Sequence, residues 1–272
     1  MLFSEKLRAA QARNDSWLCI GLDTDPEKIP PALDVVAFNR AIIDATCDLI
    51  CAYKPNLGFY LARGSVGIDA LAQTVAAIPR DVPIILDAKF GDIDSTARGY
   101  ARFAFDVLGA DAVTVNPYLG ADALTPFLDY ANRAIFLLAH TSNPGASDLQ
   151  DALVEAYSLE PIPEPLFVRV ARMAKNLAGL AEVGLVVGAT FPEQLADARA
   201  VTPGAILLIP GIGAQGGSLA DAVTHGVNTA SIGPIINASR AILYASRGDD
   251  YANAARAAAL KLRDEINLVR KS

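Results

Sequence analysis

One short segment gathers three charged residues close enough to act together: VPIILDAKFGDID, residues 82–94, with Asp87, Lys89 and Asp92. On a β-strand, residues two apart project to the same side, so Asp87 and Lys89 are expected on one face at the end of an apolar run. Charged groups held there lose hydration, which is tolerable only in a pair, and an opposite charge within ~4–6 Å favours the ionised form of each. An Asp and a Lys so held suit proton transfer or electrostatic stabilisation. The alternative is a buried structural ion pair, with Asp92 capping the next helix. Lys54 and Asp23, at the ends of neighbouring apolar runs, weigh against it.

A second constellation is PGIGAQGG, residues 210–217. Gly211, Gly213 and Gly216 satisfy GxGxxG, but a dinucleotide fingerprint belongs in a first βα turn with an acid about 20 residues on. Here the motif comes late and TASIG supplies no acid. Glycines that let backbone N–H groups approach an anion make a phosphate cradle the better reading. Arg240, in INASRAI, can add a planar fork to such a site, or it is an ordinary surface arginine. His140 ends an apolar run but has no Ser/His/Asp pattern around it, and neither it nor His225 is expected to be catalytic.

These residues need a scaffold that brings strand ends together. Short runs rich in Val, Ile and Leu recur at 17–22, 49–55, 82–89, 111–117, 134–140, 183–189, 205–211 and 233–237. Such runs suit strands buried on both faces of a parallel sheet. Between them, 35–48, 65–78, 94–108, 120–130, 165–180, 192–200 and 217–225 carry Ala and Leu at helical spacing. Eight such units with no break in composition predict an α/β chain folded as a single (β/α)8 TIM barrel over residues 1–272, with an open doubly wound sheet as its rival. Polar residues cluster at the carboxyl ends of the runs, where barrel chemistry lies: Asp23, Lys54, Asp87, Lys89, Asn116, His140, Thr141 and Ser142. Two segments fall outside the repeat. Residues 141–164 read as an extended loop after the fifth strand, and 249–270 as an extra C-terminal helix covering the barrel. The eighth strand has an uncertain start, since VNTASIG (227–233) also carries strand-like residues.

Composition limits the partners. A net charge of −7 with no Lys/Arg-rich run argues against nucleic acid. With 52% hydrophobic and 19% charged residues, a globular core is expected. The first residues lack the apolar core of a signal peptide, and no apolar run approaches the ~20 residues that cross a bilayer, so a soluble, cytoplasmic protein is expected. Three cysteines, Cys19, Cys47 and Cys51, are odd in number and lie in apolar stretches, which predicts core thiols in a reducing compartment. With only two histidines in the chain, a structural zinc site lacks ligands.

The segments LCIGLDTDP (18–26), YKPNLGFY (53–60), LDAKFGDIDSTARGYA (86–101), TSNPG (141–145), PGIGAQGG (210–217) and INASRAILYA (236–245) resemble orotidine 5′-phosphate decarboxylases, in their longer, second type. The resemblance spans nearly the whole chain. It implies decarboxylation of orotidine 5′-phosphate to UMP, a homodimer with sites at the interface, and catalysis without metal or cofactor. It makes Lys89 the proton donor to C6 of the pyrimidine, within a charge network of Lys54, Asp87, Lys89 and Asp92, the last supplied by the partner subunit. It assigns Asp23 and Lys54 to ribose hydroxyls, Ile93 and Thr96 across the interface to the site wall, and Ser142 to the base. Pro210 and Gln215 fall in a closing loop, and Arg240 grips phosphate with the backbone beside Ser239. The shorter type has Gly where Ser239 stands, which makes close backbone approach less secure here. Two other readings remain open: a sugar-phosphate decarboxylase of the same superfamily, which needs a magnesium-stabilised enediolate, and a catalytically silent phosphate-binding barrel.

Overall fold

Eight apolar runs form parallel strands: β1 (Leu18–Gly21), β2 (Ala52–Lys54), β3 (Ile85–Phe90), β4 (Ala112–Val115), β5 (Ala134–His140) and, after a short antiparallel pair β6 (Leu153–Val154) and β7 (Glu164–Pro165), β8 (Glu182–Val187), β9 (Leu207–Ile209) and β10 (Ile235–Ala238). The computed structural model describes residues 1–155, 163–212 and 216–272.

The hydrogen-bonded order is β2-β1-β10-β9-β8-β5-β4-β3, which is chain order taken around a ring. Its two ends meet. Parallel bridges join Tyr53 to Ile84 and Asn56 to Asp87. Tyr53 N donates to Pro83 O at 3.0 Å and Asp87 N to Pro55 O at 2.9 Å. An open doubly wound sheet would leave two free edges and reverse its strand order, so closure decides for the barrel.

Alternation along each strand sorts the apolar residues into two cores. Cys19, Ile85, Ala112, Phe136, Leu208 and Ile235 fill the barrel. Their neighbours Leu18, Ile20, Leu86, Val113, Ile135, Leu207 and Ile236 pack outward against the helices. Cys19 and Cys51 are buried thiols as expected, whereas Cys47 is only half-buried; all three are free. Burial pushes the Cys19 thiol up to about 12, so it stays protonated and inert.

The helices are α1 (Phe3–Arg13), α2 (Val35–Thr46), α3 (Leu57–Leu61), α4 (Gly64–Ala77), α5 (Asp94–Arg102), α6 (Thr125–Leu128), α7 (Leu166–Asn176), α8 (Pro192–Val201), α9 (Leu219–Gly226), α10 (Arg240–Leu243) and α11 (Tyr251–Lys271). Two depart from the expected lengths. After α5 the chain widens into a π turn at Phe103–Val107, and the stretch 120–130 yields only a 3-10 turn followed by the single turn of α6. Residues 227–233 form a turn, not a strand: Asn228 Oδ1 accepts from Ala230 N and Ile232 N at 3.0 and 2.9 Å. Of the expected loop 141–164, residues 156–162 lie outside the described residues.

The C-terminal segment is the extra helix expected, and it covers the flank of the barrel. β10 is followed only by the one-turn α10, which leaves a gap in the helical ring. α11 packs against α2, α9 and α10 to fill it, burying Ala255, Ala259 and Ile266. Arg256 ties it to the end of α2 through Ala45 O and the Asp48 carboxylate. The helix that covers an end of the barrel is α1. Phe3 and Leu7 enter the inner core, with Phe3 edge-on to Phe136 at 5.7 Å. Lys6 Nζ pairs with Asp111 at 2.6 Å and Ser4 N donates to Glu182 at 2.8 Å, both at the amino-terminal mouth. Among the described residues no helix is long and apolar enough to cross a membrane.

With its amino end plugged, the barrel opens only at the carboxyl ends of the strands. Phe3→Ala should therefore cost about 3–5 kcal/mol through the cavity it leaves, read as a lowered urea midpoint. An unchanged midpoint would show that α1 is not part of the folded core.

Candidate active site

At the carboxyl ends of the strands, Asp23, Lys54, Asp87, Ser142, Pro210, Gly211, Ile212, Asn237, Ala238, Ser239, Arg240 and Ala241 line one cleft of about 170 Å³. A larger cavity of about 1180 Å³, walled by Leu138, Val170 and Met173, has Asn116 at its rim but none of the charged strand-end residues and none of the residues the resemblance assigns to substrate. Chemistry, not size, marks the site.

In the wall of the cleft one carboxylate, Asp87, stands between two ammonium groups: Lys54 lines the cleft with it, whereas Lys89 is not among the lining residues. Asp87 Oδ2 lies 2.8 Å from Lys54 Nζ and Oδ1 lies 2.5 Å from Lys89 Nζ. Lys54, on β2, is 3% exposed. Burial opposes its charge, but the carboxylates of Asp87 and Asp23 outweigh that and hold its pKa above the ordinary lysine value. Burial likewise opposes ionisation of Asp87, yet Lys54 and Lys89 hold it well below the usual carboxylate range. Both groups are thus charged at neutral pH, which is the condition for a buried ion pair to persist.

Regular strand alternation does not explain where Lys89 sits. β3 keeps register with β4 at Leu86 opposite Val113, loses it, and regains it at Phe90 opposite Val115. Within this bulge Lys89 adopts φ +52°, a left-handed conformation that costs a non-glycine residue about 1–2 kcal/mol. The side chain is 47% exposed although its Nζ reaches Asp87, so the expectation that both members of the pair are desolvated holds for Asp87 alone. Thr114, on β4, braces the bulge from inside: its hydroxyl donates to Asp87 Oδ1 at 3.1 Å and accepts from the N–H groups of Ala88 and Lys89.

Around this centre lie acceptors waiting for donors. Asp23 Oδ1 and Asn237 Oδ1 are buried without a hydrogen-bond partner among the described residues. Ser239 turns its side chain over Gly21, where a Cβ would stand 2.0 Å from the serine Oγ, so a glycine on β1 makes room for the serine between the last strand and α10. Arg240 is exposed at the first position of α10 and forms no ion pair among the described residues. Ser142 closes in because Gly188 has no side chain; a Cβ there would meet the Ser142 backbone at 2.7 Å. Gly211, at φ +100°, turns the chain out of β9, and Gly217 N donates back to Gly211 O at 3.1 Å. The glycine-rich segment therefore leaves and re-enters at the edge of the cleft; Gly213 and Gln215 lie outside the described residues.

Asp92, Ile93 and Thr96 do not line this cleft. Among the described residues the Asp92 carboxylate accepts only the N–H of Ile93 at 2.8 Å, and Ile93 is 50% exposed. His140 is buried, edge-on to Phe167 and Phe191, with Nε2 3.1 Å from Asp151, while its Nδ1 has no hydrogen-bond partner among the described residues. Burial pushes its pKa down, against the pull of Asp151. Thr114 and Asn237 are site residues that sequence reading passed over. The available signal was a polar residue at an inward position of an otherwise apolar run, in DAVTVNP and GPIIN.

Residues 16–258 match the model of the orotidine 5′-phosphate decarboxylase / HUMPS family. An orotidine 5′-phosphate decarboxylase of Thermomicrobium roseum is 50% identical over 100% of this chain and 97% of its own length. One of Azoarcus sp. (strain BH72) is 48% identical over 99% of this chain and 100% of its own. Among solved structures, an orotidine-monophosphate decarboxylase described as putative, from Toxoplasma gondii, superposes with a TM-score of 0.88 at 38% identity, covering 99% of this chain and 96% of that one. Leishmania donovani OMP decarboxylase superposes with a TM-score of 0.84 at 38% identity over 100% of both chains.

Asp87→Asn would leave the buried Lys54 facing a neutral amide, and breaking such a pair costs about 3–5 kcal/mol. Because the Asp87 pKa is depressed by folding, its contribution is whole above the ordinary value of about 3.9 and is lost as pH falls further. Urea midpoints of wild type and variant should differ by a constant amount from neutral pH to about 5 and converge below about pH 4. A difference that widens on acidification contradicts the pairing.

Proposed function

The chain belongs to the orotidine 5′-phosphate decarboxylase family, and we propose that it converts orotidine 5′-phosphate to UMP and CO2 with Lys89 as the acid that protonates C6. The observation that carries this reading is the Lys54–Asp87–Lys89 chain, in which one buried carboxylate orients two ammonium groups at the edge of a cleft. The C6–carboxylate bond breaks, its electron pair stays on C6, CO2 departs, and a proton passes from Lys89 Nζ to C6, leaving a neutral amine. The ring cannot delocalise that pair well, so the barrier falls chiefly through charge fixed in position beforehand.

The rest of the cleft holds the substrate. Asp23, with its unmet carboxylate oxygen, and Lys54 take the ribose hydroxyls, and Ser142 contacts the base. Arg240 and the backbone beside Ser239 take the phosphate, with Pro210 and Gln215 in the loop that closes over it. Binding energy from this remote phosphate can be used to close the loop and raise the rate of the chemical step. Asp92, Ile93 and Thr96 complete the site of a second, cytoplasmic copy in a homodimer; Ile93 and Thr96 are exposed and Asp92 half-buried, all three outside their own cleft, which supports this reading. Asp92 of the partner subunit then stands near the departing carboxylate.

Ultraviolet absorbance of orotidine 5′-phosphate tests the activity directly, and undiminished turnover in excess EDTA separates it from magnesium-assisted chemistry on a sugar phosphate. Lys89→Ala should lower kcat by on the order of 10²–10⁴-fold or more while UMP binding persists; wild-type turnover in that variant would overturn the assignment. Arg240→Ala should weaken orotidine 5′-phosphate by roughly 10–100-fold, the worth of a charge-assisted hydrogen bond, and leave the phosphate-free nucleoside unaffected. Equal losses for both ligands would exclude a phosphate role. Mixing inactive Lys89→Ala and Asp92→Ala proteins should restore activity if the two residues meet across an interface; no recovery, with subunit exchange verified, would rule that out.

A further inference from the structure

We infer that Thr114 is a positioning residue for this reaction: its single hydroxyl holds the bulge of β3 that delivers Lys89, and fixes the carboxylate with which Lys89 is paired. Between Leu86 and Phe90, β3 spends Asp87, Ala88 and Lys89 where β4 spends only Thr114. A bulge leaves its extra residues without ladder partners. Here the N–H groups of Ala88 and Lys89 both donate to Thr114 Oγ1, at 3.0 and 2.9 Å, and the same oxygen donates to Asp87 Oδ1 at 3.1 Å.

A hydroxyl has one proton and two lone pairs, and all three are in use. Thr114 is 1% exposed, so bulk water cannot take over any of these bonds. The branched Cβ restricts χ1, which keeps the oxygen on one bearing. Lys89 at φ +52° is held in a conformation that persists only where its surroundings impose it, and the two N–H bonds to Thr114 are that imposition. Valine has the same shape without the hydroxyl. In its place two amides and one carboxylate lone pair go unmet, and the bulge loses the bonds that fix its backbone, so the Lys89 ammonium is no longer held to one position beside Asp87.

The inference rests on Lys89 as the proton donor, and one experiment separates the two. Wild type, Lys89→Ala, Thr114→Val and Thr114→Ser are compared for kcat, KM, UMP affinity by calorimetry and melting temperature, with kcat expressed per UMP-binding site. Thr114→Val should lose kcat on the order of 10²-fold, the effect of about 1 Å of misplacement, with UMP affinity unchanged, and Thr114→Ser should recover most of it. A purely structural role predicts fewer binding sites but a normal kcat at each. That result overturns the inference, as does a Thr114→Ser protein as slow as Thr114→Val. If Lys89→Ala turns over like wild type, the proton-donor reading falls and the inference with it. Should Thr114→Val not fold, Thr114→Ala against Thr114→Ser, again per UMP-binding site, decides by the same comparison.

Discussion

Asp87 carries the structure's tightest constraint, since its two carboxylate oxygens serve two ammonium groups at once. Removing charges from water is expensive, and the attraction within a buried pair repays it only when geometry is good and the remaining hydrogen-bonding capacity is met. Each oxygen has its lysine, and Thr114 adds a third bond from β4. Three adjacent strands, β2, β3 and β4, therefore converge on one carboxyl group. The join between β2 and β3, made by isolated bridges and not by a full ladder, lies beside it. The ion pair and the closure of the barrel are thus neighbours in space and support each other.

The scaffold closes one end with an apolar plug, rimmed by the Lys6–Asp111 pair, and leaves polar groups lining the other. Phe3 and Leu7 of α1 extend the inner apolar core to the amino-terminal mouth, while the carboxyl-terminal positions of the same strands carry Lys54, Asp87, Thr114 and Asn237. The overall charge of −7 says little about such a place. At separations of a few ångströms the local charges of Lys54, Lys89 and Arg240 would outweigh, for an anionic ligand, distant acidic residues screened by salt. The buried acceptors on Asp23 and Asn237, costly while unmet, are suited to hydroxyl donors of a ligand.

Much of this was legible beforehand. The strand order in sequence, most helices and the charged residues at strand ends follow from residue type and local period. Asp23, Lys54, Asp87, Ser142, Pro210, Ser239 and Arg240, scattered along the chain, do meet in one cleft. What escaped was of another kind. Thr114 and Asn237 read as incidental polar residues in apolar runs, since each run is apolar on both faces and their alternation with inward residues gains meaning only once the barrel interior is known. Lys89 was assigned to the right neighbourhood by an alternation rule that the bulge breaks. The tail was recognised as a helix, but its seat beside α2 and α9 depends on a gap left by the short α10.

The division has a physical basis. Alternating apolar strands and amphipathic helices, and a lysine flanked by carboxylates at a strand end, are consequences of side-chain chemistry at fixed short spacing, and the sequence alone determined them. Closure of β2 on β3, the opposition of one threonine to three residues of β3, the plug formed by α1 and the room that Gly21 makes for Ser239 arise from pairing between segments far apart in the chain. Such contacts form only when the whole barrel closes, because each segment's unmet hydrogen bonds and apolar faces find their partners there, and only the tertiary structure decided them.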